Sequence, residues 1–136
     1  MVLTSGAFAV GQLWIAAQNW WRKRRGRGGV RRISSLDEVA VGASIVFTYP
    51  GDHDPCVLTR LGERDFVAYS QKCTHLSCAV IPQPARGALT CPCHDGLFDL
   101  RSGRPIAGPP RRPLPRVLLD VRGRDIYATD IEPRTV

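Results

Sequence analysis

The sequence predicts an all-β domain preceded by one N-terminal helix, and three observations carry that expectation. Short runs rich in β-branched and aromatic residues recur from residue 44 onward, separated by Gly, Pro and Asp turn signals. Two compact Cys/His motifs lie between these runs. The first 21 residues carry no charged side chain and lead directly into a dense basic run.

The length of 136 residues fits one globular domain, and 43% hydrophobic with 23% charged residues is the composition of a folded protein. The 13 Gly and 11 Pro favour loops and short strands over a helical bundle. The net charge of +7 is local: Arg22, Lys23, Arg24, Arg25, Arg27, Arg31 and Arg32 supply seven positive charges with no acid among them. The other twelve Lys and Arg balance twelve Asp and Glu. A neutral domain with a basic collar is not a general nucleic-acid binder.

Residues 1–21 predict a transmembrane anchor. About 20 helical residues span roughly 30 Å, the hydrocarbon thickness of a bilayer. Thr4, Ser5, Gln12, Gln18 and Asn19 dilute the apolar character, and no proline occurs before Pro50. Trp14, Trp20 and Trp21 are all the tryptophans of the chain, the last two beside the basic run, where an interfacial aromatic belt is expected. Ala7 and Gly11 are spaced for close helix–helix approach in a membrane. A signal peptide fits less well, because the charges follow the apolar stretch instead of preceding it.

Residues 22–35 read as a flexible, solvated linker, with Gly26, Gly28 and Gly29 among the charges. By the positive-inside rule the collar places the following domain on the cytoplasmic side. Residues 36–136 form that domain. Expected strands are Ser44–Tyr49, closed by Pro50, Gly51 and Asp52, then Cys56–Leu61 and Asp65–Ser70. Val117–Val121 and Asp125–Thr129 flank Arg122, Gly123 and Arg124 as a closing hairpin. Strands this short and regularly spaced predict a small sandwich or barrel. His53 falls in a solvated turn, and Cys56 opens a strand as a small buried apolar residue.

The chemistry is concentrated in Cys73-Thr74-His75-Leu76-Ser77-Cys78 and Cys91-Pro92-Cys93-His94-Asp95-Gly96-Leu97-Phe98. Four of five cysteines and two of three histidines lie in these pieces, with fifteen residues between His75 and Cys91. Thiolates with imidazoles select zinc or an iron–sulfur centre. A Cys2His2 zinc module normally pairs two Cys in one half and two His in the other. Here each half supplies both residue types. Spacing alone does not say which cysteine of each motif is a ligand.

The pair C-x-H-L-x-C and C-P-C-H resembles the Rieske [2Fe–2S] family, in particular the membrane-anchored Rieske proteins of cytochrome bc complexes. The resemblance covers roughly residues 40–131. It implies a small antiparallel β-sandwich or barrel with a cluster-binding subdomain. By resemblance Cys73 and Cys91 bind one iron, His75 and His94 the other, and Cys78 and Cys93 form a disulfide tying the two loops. Rieske ferredoxins of oxygenases usually lack that pair, so the resemblance favours the respiratory branch. Pro105-Ile106-Ala107-Gly108-Pro109-Pro110 resembles the proline loop that covers the cluster, with Gly108, Pro109 and Pro110 in its environment beside Leu76.

The sequence departs from the bc pattern C-P-C-H-G-S-x-Y-D. Asp95, Gly96 and Phe98 stand where Gly, Ser and Tyr are expected. The family's Ser and Tyr hydroxyls donate hydrogen bonds to cluster and ligand sulfurs, stabilising the reduced form. Gly96 and Phe98 offer none, so the potential is expected below the top of the roughly −150 to +300 mV Rieske range. Two histidine ligands leave the cluster less negative than four thiolates would, and each imidazole keeps a ring nitrogen able to carry a proton.

The resemblance implies no substrate site on this chain. It implies a one-electron carrier within a membrane oxidoreductase complex, whose partners are the other subunits, with quinone or quinol as a candidate. The competing class is a soluble Rieske ferredoxin donating to an oxygenase. A disulfide favours an oxidising compartment, against the cytoplasmic side indicated by the collar. The periplasmic side is therefore the alternative.

Overall fold

The computed structural model describes residues 2–24 and 28–132, with side chains described for 6–21 and 28–132. Helix α1 (Val2–Arg24) has 23 residues, a length of about 35 Å. It meets the expectation of a helix over the uncharged segment and corrects the expectation of a membrane span. Among the described residues no helix is long and apolar enough to cross a membrane. Length suffices; Gln12, Gln18 and Asn19 lower the apolarity. Phe8, Leu13, Trp14 and Trp21 are exposed on it. Of the collar, Arg25 and Arg27 lie outside the described residues, as do the side chains of Arg22, Lys23 and Arg24.

Strand β1 (Arg31–Ser35) lies within the segment expected as linker. It pairs antiparallel with β10 (Asp125–Glu132), a contact no local pattern announces. The basic residues are compatible with a strand because partners await them. Arg32 reaches Asp125 at 2.9 Å, and the Arg31 guanidinium donates to the Thr48 carbonyl at 3.1 Å.

The other long strands fall within a residue or two of expectation at their starts: β2 (Ser44–Thr48), β3 (Pro55–Arg60), β4 (Phe66–Ser70) and β9 (Arg116–Arg122). β9 and β10 form the closing hairpin with Arg122 opposite Asp125. Gly123, at φ 62°, supplies the left-handed backbone such a tight turn requires. These strands make a six-stranded sheet in the order β1-β10-β9-β4-β3-β2. The Arg31–Thr48 hydrogen bond joins its two edge strands, so the sheet curls toward a barrel.

A second, four-stranded sheet carries the Cys/His motifs in the order β5-β6-β7-β8. Its strands are β5 (Ile81–Gln83), β6 (Ala88–Cys91), β7 (Gly96–Asp99) and β8 (Pro105–Ala107). β3 and β4 bury both faces. Cys56, Leu58 and Ala68 point into a core with Tyr49, Ile126 and Ala128. Val57, Val67 and Tyr69 point the other way, against Leu89 and Phe98 of the second sheet and Leu114 of the segment that follows it. Burial on both faces turns period-2 alternation into a continuous apolar run. The Tyr69 hydroxyl donates to the Arg101 carbonyl at 2.6 Å, fastening one sheet to the other.

His53 is exposed in its turn. Cys56 is 1% exposed and its thiol donates to the Tyr49 carbonyl at 3.2 Å; burial pushes that thiol up to about 11. It is a packing residue.

Candidate metal centre

Each cysteine motif sits in a loop gripped from both sides. Lys72 and Ala79 bridge across the neck of the first loop, and Val80 N–H donates to the Gln71 carbonyl at 2.8 Å. Inside it, Cys73 N–H donates to the Cys78 carbonyl at 2.7 Å, and Ser77 N–H to the Cys73 carbonyl at 2.9 Å. Ser77 accepts a left-handed backbone, φ 59°, to close the turn. The second loop joins β6 to β7, with Cys91 paired opposite Gly96. Asp95 holds φ 54° there, a conformation Asp tolerates better than most residues.

The two loops are stapled by a disulfide between Cys78 and Cys93, whose Cα atoms are 6.5 Å apart. The remaining candidates pair off two and two. Cys73 and Cys91 are 3% and 2% exposed at the floor, in one buried core cluster. Burial pushes the Cys73 thiol up, while N–H groups of His75 and Leu76 aimed at its sulfur pull the other way. His75 and His94 stand exposed at the tip, ring centroids 5.1 Å apart and nearly perpendicular. Among the described residues, no group of three or more His, Cys, Asp or Glu is arranged for a metal ion. Two thiols below and two imidazoles above suit a pair of metal atoms with bridging ligands better than a single tetrahedral ion. The backbone N–H groups at the Cys73 sulfur would stabilise it as a ligand thiolate.

The proline loop closes over this arrangement. Gly108, at φ 84°, lies against the second loop so closely that a Cβ there would come 2.8 Å from the Asp95 carbonyl oxygen and the Gly96 Cα. Pro110 is buried on Gly96, where a Cβ would come 2.8 Å from the proline Cγ and 3.3 Å from the Cys91 Cβ. Gly96 is therefore shaped by Pro110 as well as by its own turn. Phe98 is fully buried beside Cys73 and Cys91 in the core. Leu76 is 60% exposed at the tip. A cleft of about 540 Å³ opens beside His75, lined by Thr74, Pro109, Pro110, Arg111 and Arg112.

The cysteine, histidine and proline-loop candidates are thus brought together around the two loops, whereas His53 and Cys56 lie elsewhere. Three contributors were not singled out: Thr74, whose hydroxyl donates to the Arg112 carbonyl at 2.8 Å, and the two arginines. Thr74 occupies the variable position of C-x-H, and the arginines follow the proline run. Only their convergence in space marks them.

A buried thiol pair under an exposed histidine pair, on two disulfide-linked loops beneath a proline loop, defines an iron–sulfur electron carrier. Residues 31–118 match the Rieske [2Fe-2S] domain family, and the chain belongs to it. Its cofactor is a Rieske-type [2Fe–2S] cluster, and it is an electron-transfer protein. The chain is 47% identical over 68 residues to the carotenoid phi-ring synthase of Chlorobaculum tepidum, covering 50% of this chain and 10% of the synthase. It is 32% identical over 119 residues to the iodate reductase subunit IdrB of Denitromonas iodatirespirans, covering 74% and 62%. Among solved structures it resembles the ferredoxin of carbazole 1,9a-dioxygenase from Nocardioides aromaticivorans IC177. That likeness has 27% identity and a TM-score of 0.63 over 74% of this chain and 97% of the ferredoxin. The chain thus spans a tenth of the first relative and under two thirds of the second.

Proposed function

We propose that this protein is the electron-transfer subunit of a membrane oxidoreductase complex. Cys73 and Cys91 would hold one iron, and His75 and His94 the other. The cluster supplies a one-electron redox couple. The protein's own residues bury the cysteine side, exclude water beneath Pro110, and present the two imidazoles outward as the route for electrons and protons. The observation that carries this reading is the exposed histidine pair above buried thiols on stapled loops.

Membership of a complex rests on α1. A helix surface exposing Phe8, Leu13, Trp14 and Trp21 is apolar area that a partner or a membrane normally covers. The likeness to a subunit of iodate reductase points the same way. With α1 lying against a membrane subunit or the bilayer surface, the basic collar beside it favours the anionic cytoplasmic face; the disulfide is the argument for the opposite face. A second reading, a ferredoxin donating to an oxygenase, is favoured by the carbazole-dioxygenase ferredoxin likeness and opposed by the Cys78–Cys93 disulfide.

Mild detergent extraction of the native host separates the readings. Two irons and two sulfides per chain, a Rieske EPR signal after reduction, and co-purifying membrane subunits are expected. Recovery of the whole population in the soluble fraction with an oxygenase would overturn the membrane assignment. Loss of the EPR signal on Cys91→Ser, with native circular dichroism retained, is expected of a ligand.

A further inference from the structure

We propose that the cleft beside His75 is the docking site for an acidic redox-protein partner, with Arg111 and Arg112 as its recognition residues. This deepens the electron-transfer reading above and rests on it.

Arg31, Arg32, Lys72, Arg101, Arg122 and Arg124 each reach a carboxylate within 4 Å. Arg60, Arg64, Arg86, Arg104, Arg111, Arg112 and Arg116 reach none among the described residues, and of these Arg111 and Arg112 are the pair that is exposed and lines the same cleft as His75. The two cysteine motifs and the proline loop hold one carboxylate, Asp95, in that neighbourhood. The tip therefore keeps a surplus of positive charge on a domain that is otherwise balanced.

The placement is rigid. Thr74, between Cys73 and His75, donates its hydroxyl to the Arg112 carbonyl at 2.8 Å, so the arginine pair is tied to the loop that presents His75. Pro109 and Pro110 immediately before the pair limit its backbone freedom. Leu76 and Ile106, 60% and 59% exposed, add apolar surface at the same end. An apolar patch with a positive rim at the point of electron exit is complementary to an acidic protein surface. Like-charge repulsion disfavours basic partners. Guanidinium groups also pair bidentately with carboxylates, which fixes orientation.

Stopped-flow oxidation of the reduced, cluster-loaded full chain tests this with two protein acceptors, acidic plastocyanin and basic mitochondrial cytochrome c. One electron leaves the reduced protein and converts Cu(II) to Cu(I) or Fe(III) to Fe(II). Expected is a second-order rate with plastocyanin that falls steeply as salt rises, and that drops about tenfold or more in R111E/R112E at low ionic strength. Cytochrome c should be oxidant of low efficiency toward the parent and improve in the same variant. R86E/R104E changes net charge equally at the far end of the small sheet and should leave the plastocyanin rate within about twofold. An unchanged reduction potential in R111E/R112E keeps the result from being a driving-force effect.

Equal effects of the two double variants, or no salt dependence, would overturn the docking site while electron transfer survives. A salt-dependent rate with hexacyanoferrate(III) that responds to R111E/R112E, without any response for plastocyanin, would identify a small-anion site instead and also overturn it. Failure of the reduced chain to donate to any acceptor would refute the electron-transfer reading itself.

Discussion

In the six-stranded sheet, β3 and β4 carry side chains into two cores at once, and strands of five to eight residues pair along their length. In the four-stranded sheet no strand exceeds four residues, and order comes from other sources: a disulfide, a proline loop packed on glycine, and a shared core with the larger sheet. The first region is stable through cooperative burial. The second is stable through a few point constraints that hold side chains at fixed positions. A redox site benefits from the latter, because the loops must present donors to a cofactor on one side and imidazoles to a partner on the other.

The largest expected effects separate the two kinds of order. Leu58 is fully buried in the core of the six-stranded sheet. Leu58→Ala should cost about 2–5 kcal/mol and weaken both sheets together. Replacing Cys78 and Cys93 by Ser opens a link of 15 residues, worth about 3 kcal/mol by loop-closure entropy. That loss should be confined to the tip. Hydrogen exchange is expected to accelerate at residues 73–80 and 91–98 while β3 and β4 stay protected. Equal acceleration in both sheets would show that the staple stabilises the domain as a whole.

The same division explains what the sequence made legible. Long strands announced themselves through β-branched runs and turn residues, because each is a local pattern repeated over several positions. β1 did not, since Arg31 and Arg32 read as solvated charge and its pairing with β10 bridges almost the whole domain. β5 to β8 carry no strand signal in the sequence, because each has only three or four residues and β5 and β8 also contain Pro82 and Pro105. The ligand candidates were legible because thiol and imidazole chemistry is scarce and clustered. The Gly96–Pro110 contact was not, because it joins residues that only the folded loop brings together. α1 lacks charge over most of its length yet is not apolar enough for a span, because absence of charge is not the same as presence of enough Leu, Ile and Val.

A smaller effect probes how the proline loop bears on tuning. Gly96→Ser places a Cβ about where Pro110 already sits, 2.8 Å from its Cγ. A rigid ring cannot yield by a bond rotation, so overpacking of about 1–3 kcal/mol is expected. The reduction potential should not rise, because a displaced serine is badly aimed at the cluster sulfurs. In G96S/P110A the space is restored, and the hydroxyl should raise the potential. Redox titration of the three proteins checks this. A rise in G96S alone equal to that of the double variant would show that Pro110 does not govern the position.

The smallest expected effect compares two carboxylates, one per region, each gripped by a serine. In the turn after β1, Glu38 accepts from the Ser34 hydroxyl and the Ser35 N–H, both at 2.9 Å. In the small sheet, Asp99 accepts from the Ser102 hydroxyl at 2.6 Å and the Ser102 N–H at 2.7 Å. The Ser102 hydroxyl, then its amide, holds Asp99 below its ordinary 3.8; the Ser34 hydroxyl chiefly holds Glu38 below 4.5. A depressed folded-state value means the unfolded chain takes up the proton first. The stabilisation is therefore complete above the ordinary carboxylate value and is lost as pH falls below about 4 toward the folded value. Glu38 is exposed and Asp99 half-buried, so solvent screening keeps each contribution small. Ser102→Ala should lower urea stability at pH 7, with the gap to the parent narrowing as the pH drops toward 2. A gap independent of pH would assign the serine to neutral turn geometry alone. Ser34→Ala should behave in the same way, but with exchange protection lost around β1 and β10 and not at the small sheet.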